Sequence, residues 1–383
     1  MHRRFAVLIV PTLLAAGCSD DSPSGSPRPT TPEASTTTLD AAAAAVAYAK
    51  PGPFPVGVAT LSLAKGPEVE IWYPAVAGTT GTVSYDVRDF TPPAVRDILT
   101  ADVPATYAVD GARDADVADG TFPVVLFSHG FTGIRLQSSF LTAHLASWGM
   151  IVVAPDHPSR DLFNVLGGTA TGDQDDSIDD LLKSLDLIVE EGTTAGGRFE
   201  AHVDGDRVAA LGHSAGGGTI LGAALDDRVD GYVAMASGGP EDSSEFPDRP
   251  SFFLAGSVDG VVSADDRTRP AFDAAPAPSL YWEIDGVGHN GFDDFCTFGG
   301  GTGIIGIAEQ SGLGPLLDAQ PQLRSLGEDG CIPPAAPVDQ AFPIIQHGVT
   351  SWLRALFGED PQPVGLEGEV EMAYDLTITV ARK

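Results

Sequence analysis

Residues Arg207 to Gly218, RVAALGHSAGGG, restrict the fold of this chain more than any other stretch. Val208, Ala209, Ala210 and Leu211 form a short apolar run of the kind that fills a buried strand. A Gly-x-Ser-x-Gly turn follows, Gly212 to Gly216 with Ser214 at its centre, and small residues then open a helix running to Leu225. Strand, tight turn and helix in that order hold a serine on a strained bend with its hydroxyl exposed. Glycines two places before and after the serine let strand and helix approach closely. The five-residue match alone is cheap in a chain with 45 glycines. Its flanks make Ser214 the candidate nucleophile.

Composition removes some function classes. A net charge of −32 repels phosphate backbones and anionic lipid, which argues against nucleic-acid binding. At 383 residues the chain is long enough to bury a substantial core. The N-terminus reads as an export leader. His2, Arg3 and Arg4 precede an apolar stretch, Phe5 to Ala16, that is too short to span a bilayer. Small residues then lead into Cys18, in a pattern resembling a bacterial lipobox, so residues 1–17 are expected to be removed and Cys18 lipidated. An ordinary secretory signal is the alternative, and both readings export the protein. The lipid is then the only membrane attachment expected. Residues 18–51, rich in Ser, Thr, Pro and Gly up to Thr38, read as a disordered tether, with at most a loose helical turn at Ala41–Ala45.

With Cys18 lipidated, Cys296 and Cys331 remain as an even pair in an oxidising compartment and are expected to bridge. Closing a loop of about 36 residues contributes at most about 4 kcal/mol on a chain-entropy account. Two free thiols are the alternative.

Between residues 52 and 358 apolar runs alternate with helical spacing. Val56–Leu63 and Val69–Tyr73 read as opening antiparallel strands, and residues 74–120 as a long surface excursion with at most one short helix at Pro93–Leu99. Strands are expected at Phe122–Phe127, Met150–Ala154, Val208–Leu211, Val229–Ala236, Phe252–Ala255 and Leu280–Ile284. Helices are expected at Leu136–Trp148, Ile178–Val189 and Phe342–Phe357. This alternation predicts a mostly parallel sheet covered by helices on both faces. Residues 359–383 form a tail with a possible strand at Leu376–Val380 and no assigned role.

Four motifs carry a family resemblance: Gly52-Pro-Phe-Pro-Val-Gly57, Glu70-Ile-Trp-Tyr-Pro74, Ser128-His-Gly-Phe-Thr-Gly133 and Gly212-His-Ser-Ala-Gly-Gly217. With them residues 52–358 resemble the α/β-hydrolase superfamily. The likeness is greatest to its secreted bacterial branch of platelet-activating-factor acetylhydrolase-like, chlorophyllase-like and cutinase or polyesterase enzymes. The resemblance implies a serine hydrolase acting on carboxylic esters, with chain order serine, acid, histidine. Asp259 follows the Phe252–Ala255 strand and His289 follows Leu280–Ile284, so both fall at the sheet edge where active-site loops gather. The resemblance assigns Asp259 as orienting acid and His289 as base. One oxyanion donor follows from the elbow itself, the Ala215 amide. The resemblance supplies the other as the Phe131 amide, with the Phe131 ring either walling the pocket or packing in the core.

Asp265 and Asp266 read as helix-start acids and Asp285 as a turn residue. His213 is expected to point away from the site, His144 and His347 to pack or face solvent, and His157, which ends a strand, either to face the site or to pack, without serving as base. The acidic clusters Asp173–Asp180 and Asp204–Asp206 read as solvated faces, and they match no calcium loop. No zinc spacing is present, Gly299–Gly301 lacks a following Gly-Lys-Ser/Thr, and no cofactor is expected. Residues 290–340, bracketed by the two cysteines, form either a tethered flap over an acyl pocket or a surface insertion. The expected partner is a small-molecule, lipid or polymer ester bound by a monomer. A peptidase or thioesterase on the same residues, and a non-catalytic envelope protein, are the rivals; 383 residues leave no room for the propeller that gates oligopeptidases.

Overall fold

The computed structural model describes residues 40–383. The expected leader, Cys18 and most of the expected tether lie outside the described residues. Twelve strands are present among those described: β1 Val56–Ser62, β2 Glu68–Pro74, β3 Thr82–Asp86, β4 Thr106–Asp110, β5 Ala112–Arg113, β6 Phe122–Ser128, β7 Ile151–Pro155, β8 Val203–His213, β9 Gly231–Met235, β10 Ser251–Gly256, β11 Ser279–Ile284 and β12 Ile378–Arg382. Ten of them build one sheet in the order β12-β11-β10-β9-β8-β6-β7-β2-β1-β5. The six strands from β11 to β7 run parallel. Antiparallel β12 flanks them on one side; on the other, β2 runs antiparallel to β7 and β1 antiparallel to β2. This is the mostly parallel sheet that the strand and helix pattern predicts, and it fits the α/β-hydrolase fold that the resemblance implies.

The apolar runs explain the layering. All residues of β6, β7, β9 and β10 are buried, as a sheet covered on both faces demands. Helices Ser139–Ser147 and Val338–Leu356 close one face, burying Leu141, Leu145, Ile345 and Val349. Helices Gln174–Thr193 and Ala215–Ala223 close the other through Leu181, Leu185, Ile188 and Ile220. Strand β8 sits centrally, and the chain crosses from it to β9 on one side, having left β6 for β7 on the other. Ligands bind at such a reversal, where loops from neighbouring strands diverge.

Three segments depart from expectation. Residues 74–120 are no loose excursion: β3 and β4 pair as a hairpin, and Val87, Leu99 and Val103 are buried in the core. The tail is part of the fold, with β12 paired along the edge of β11 two residues beyond the expected start and Leu366 and Val370 buried. The tether expected to reach residue 51 is already packed from Ala45, which is fully buried, and Tyr48. Asp40 caps the short helix Ala41–Ala44, its carboxylate accepting the Ala43 N–H at 2.7 Å.

His347, wholly buried, joins both terminal segments to the core. Its Nδ1 accepts the Tyr48 N–H at 3.2 Å and its Nε2–H donates to the Gly365 carbonyl at 2.9 Å. Burial pushes its pKa down to about 4, so the folded protein holds it neutral. An unfolded histidine takes up a proton below about pH 6.5. The stability from this residue is therefore full above that pH and lost as pH falls from about 6.5 to 4, at up to ~1.4 kcal/mol per unit. His347→Gln keeps one donor and one acceptor without the titration. Urea unfolding at pH 6.5 and 4.5 should show a shallower acid loss in the variant, and equal slopes would contradict this account.

Candidate active site

The site begins with a strained residue. Ser214 adopts φ 55° and ψ −121°, conformationally costly for a residue bearing a side chain, at the junction of β8 and helix Ala215–Ala223. The bend is pinned by the Ser214 N–H donating to the Met235 carbonyl on β9 at 3.0 Å and by Gly217 N–H donating back to the Ser214 carbonyl at 2.9 Å. The two glycines are sterically required. A Cβ at Gly212 would lie 2.4 Å from the Gly216 carbonyl oxygen, and one at Gly216 would lie 2.0 Å from that of Ser128. Because Ser128 pairs with Gly212 at the ends of β6 and β8, the Ser214 bend and the loop after β6 emerge side by side.

Asp259 and His289 follow the neighbouring strands β10 and β11, whose register ends at Gly256 and Ile284. Asp259 Oδ2 lies 2.9 Å from His289 Nδ1, with both side chains buried. Its other oxygen accepts the Val261 and Val262 amides at 2.8 and 2.6 Å, which fixes the carboxylate. An acceptor on Nδ1 places the imidazole proton there and leaves Nε2 with its lone pair. Ser214 and His289 line one cavity without a direct hydrogen bond between them; such bonds commonly tighten only when substrate arrives. The alternative acids lie elsewhere. Asp265 and Asp266 are exposed in the helical turn Ala264–Thr268, and exposed Asp285 accepts a hydrogen bond from Ser257.

His213 does not point away, as the sequence reading expects. It is buried, its ring centroid lies 4.7 Å from that of His289, and it lines the cavity. Its partners define its role. Gln137 Nε2 donates to His213 Nδ1 at 2.9 Å, so Nε2 carries the proton and donates to the His289 carbonyl at 3.1 Å. Burial depresses its pKa well below the usual range, which keeps it neutral. Gln137, which no sequence signal singled out, also donates to buried Asp293 at 2.9 Å and accepts the Gly130 N–H at 2.7 Å. One amide side chain thus ties the loop after β6, the serine bend and the histidine loop together.

The amides of Ala215 and Phe131 have no hydrogen-bond partner among the described residues, as donors awaiting a ligand oxygen require. Gly130 packs against Ser214, since a Cβ there would meet that of the serine at 3.2 Å. The Phe131 ring is half exposed and lines the cavity rather than packing in the core. Beneath this loop, His157 faces inward and does not border the cavity, sitting 2.9 Å from Ser128 Oγ and 3.2 Å from Asp180 Oδ2. Asp180 is accordingly buried, contrary to the solvated face expected for its cluster. His144 and His347 are buried and packed.

The cavity has a volume of about 140 Å³. Val87, Val95 and Leu99 wall it from the 74–120 segment, and Ile304, Ile307 and Leu317 from the insertion. The insertion is helical, with helices Gly303–Gln310, Gly314–Ala319 and Pro321–Glu328, and the Cys296–Cys331 disulfide closes it, as expected. Its residues Ile305, Leu313 and Leu316 line the cavity as well.

Residues 113–305 match the family described as PET hydrolase-like (PETase). The chain is similar to the cutinase est2 of Thermobifida alba, 27% identical over 176 residues, which covers 45% of this chain and 54% of that one. It is also similar to the bis(hydroxyethyl) terephthalate hydrolase of Streptomyces coelicolor, 25% identical over 176 residues, 45% of this chain and 52% of that one. The chain thus spans about half the length of these curated relatives. A solved ferulic acid esterase from Streptomyces cinnamoneus shares the fold, with TM-score 0.60 and 20% identity over 88% of this chain and 99% of that one.

The steric account of the bend is testable by alanine. Gly216→Ala should lose about 3 kcal/mol, because the opposing atom is a backbone carbonyl that cannot swing away. Gly218→Ala, which meets only the flexible end of Gln174 at 3.2 Å, should be neutral or slightly stabilising. Urea midpoints of the two variants decide this.

Proposed function

The chain belongs to the PET hydrolase-like family, and from that premise we propose that it is a serine hydrolase cleaving carboxylic esters through an acyl-enzyme. The observation that carries the reading is the 2.9 Å contact between Asp259 and His289 Nδ1 beside a cavity that Ser214 also lines. In this reading Ser214 Oγ attacks the ester carbonyl while His289 Nε2 takes its proton. Asp259 holds the imidazole and stabilises the imidazolium. The Ala215 and Phe131 amides donate to the oxyanion of the tetrahedral intermediate. Collapse breaks the carbon–oxygen bond to the alcohol, which leaves with the proton from His289. Water then attacks the acyl-enzyme by the same route, its proton passing to His289 and on to Ser214 Oγ as the acid departs. His213 does not compete as base, since both its ring nitrogens are engaged and burial keeps it neutral.

The pocket suggests the substrate class. An apolar cavity suits an acyl group of several carbons or an aromatic ring, and a chain of charge −32 favours neutral esters over anionic ones. We infer that the protein acts outside the cytoplasm, with Cys18 lipidated. The leader residues and the Cys296–Cys331 bridge support this. A monomer suffices, because one chain supplies Ser214, Asp259 and His289.

A fluorophosphonate probe should label the wild-type protein and not Ser214→Ala, whose kcat on p-nitrophenyl esters should fall roughly 10⁴-fold or more. An unlabelled wild type would sink the catalytic reading in favour of a binding protein. Across esters of increasing chain length, kcat/KM should rise about fourfold per methylene until the cavity is full, given ~0.8 kcal/mol per buried methylene. Ile307→Trp should remove that rise while sparing the acetate.

A further inference from the structure

The insertion ends in Gly327-Glu328-Asp329-Gly330-Cys331, and Asp329 reaches both loops of the proposed acid and base. Its Oδ1 accepts the His289 N–H at 2.6 Å. Its Oδ2 accepts the Gly260 N–H, next to Asp259, at 2.9 Å. Its own carbonyl accepts the Asn290 N–H at 2.9 Å. One carboxylate therefore spans the two loops whose side chains meet at the Asp259–His289 contact.

A second, independent feature shows that the loops are shaped to receive it. A Cβ at Gly260 would fall 2.7 Å from Asp329 Oδ2. At Gly288 it would fall 2.7 Å from Oδ1 and 2.6 Å from the Gly330 Cα. The two loops are without side chains where the carboxylate and its turn come in. Nearer the sheet the loops are joined by the Val258 N–H to the Val287 carbonyl at 3.1 Å. Past that point Asp329 takes over, holding the backbone of His289 itself. Two residues on, Cys331 fastens this turn to Cys296, which follows the histidine loop.

We propose that Asp329 is a positioning residue: it struts the disulfide-closed insertion against the acid and histidine loops and sets the register between Asp259 and His289. The proposal rests on the ester-hydrolase reading for its kinetic consequence and on geometry alone for its structural one. An error of an ångström in that register costs on the order of a hundredfold in rate while leaving ester binding intact. The insertion would then have two tasks, walling the cavity with Ile304 and Ile307 and aligning the base with Asp329.

Asp329→Asn is nearly isosteric but offers one carbonyl oxygen to two amides, so one loop must lose its acceptor. The expected result is a kcat ten- to a hundredfold lower on p-nitrophenyl acetate with KM changed less than about twofold. The downfield proton resonance of the Asp259–His289 pair should shift or broaden, and amide exchange at Gly260 and His289 should quicken. Glu328→Gln, whose carboxylate pairs with Arg324, is the control and should change none of these. Replacing both cysteines with serine should lower kcat in the wild-type background and add little in Asp329→Asn, because the two act through one strut. Full additivity overturns the link to the disulfide. Unchanged kcat, resonance and exchange in Asp329→Asn overturns the proposal, and so does a loss confined to melting temperature. If the wild type hydrolyses no ester, the catalytic reading has failed instead, and the resonance and exchange measurements still judge the strut.

Discussion

The distance between two backbones, the Ser128 carbonyl at the end of β6 and the Gly216 position in the first turn of the following helix, governs the rest of the site. A Cβ at Gly216 would stand 2.0 Å from that oxygen, so nothing larger than glycine lets β6, β8 and the helix converge. Convergence forces Ser214 to φ 55°, a strain of about 1–3 kcal/mol. Fully buried Val124, Leu126, Ala209 and Leu211 hold the strands together against it. The result is a serine held on the bend beside Gly130, lining the cavity with Phe131. Looser packing would relax the backbone and withdraw the hydroxyl.

The ground under the site is polar, with buried histidines beside the Arg160 guanidinium, which donates to Ser128 Oγ at 2.8 Å and to the His129 carbonyl at 2.9 Å. His129, His157 and His213 are fully buried, and burial holds the pKa of each well below the ordinary range. Each is also committed. His129 Nε2 accepts the His157 N–H at 3.0 Å while its Nδ1 faces the Gly130 carbonyl at 2.8 Å. His213 bridges Gln137 and the His289 carbonyl. Histidines in this state act as rigid two-ended connectors, each tautomer set by its partners. They fix the loop carrying Phe131 without placing a positive charge beside His289. Asp294, pushed up to about 7 by burial, accepts the Phe140 N–H at 2.9 Å.

Legibility from the sequence followed the range of the interactions. Strand runs such as Val208–Leu211 and Phe252–Ala255 are local patterns, and β8 and β10 contain them. Ser214, Asp259 and His289 were readable because each sits just after such a run, where the topology must bring the loops to one edge. Gln137 and Asp329 were not. Asp329 meets partners 40 and 69 residues away in the chain, and nothing in Glu-Asp-Gly-Cys distinguishes a strut from a turn. The packing of the terminal segments is less legible for another reason. Residues 359–383 are polar on average, yet Leu366, Val370 and Ile378 each find a buried slot. A few anchors at irregular spacing leave no periodic signal, and the run Ala41–Ala45 gives no hint that its last residue is wholly buried.

The family match covers residues 113–305, and the cavity wall extends beyond it on both sides. Residues 113–305 hold the β6 loop, the serine bend, Asp259 and His289. Val87, Val95 and Leu99 precede that span, while Leu313, Leu317 and Leu326 follow it, and all six line the cavity. The proposed acid, base and nucleophile thus lie inside the matched span, while the cavity wall draws on residues inside it, such as Phe131 and Leu162, and on residues either side of it. The two parts are nonetheless joined by covalent and hydrogen bonds. Cys296 lies inside the matched span and Cys331 outside it, and the Asp329 carboxylate crosses back to the His289 amide. An insertion bonded in this way cannot vary freely in length between residue 317 and the disulfide, because any shift that reshapes the apolar wall also pulls on the loop that orients the imidazole.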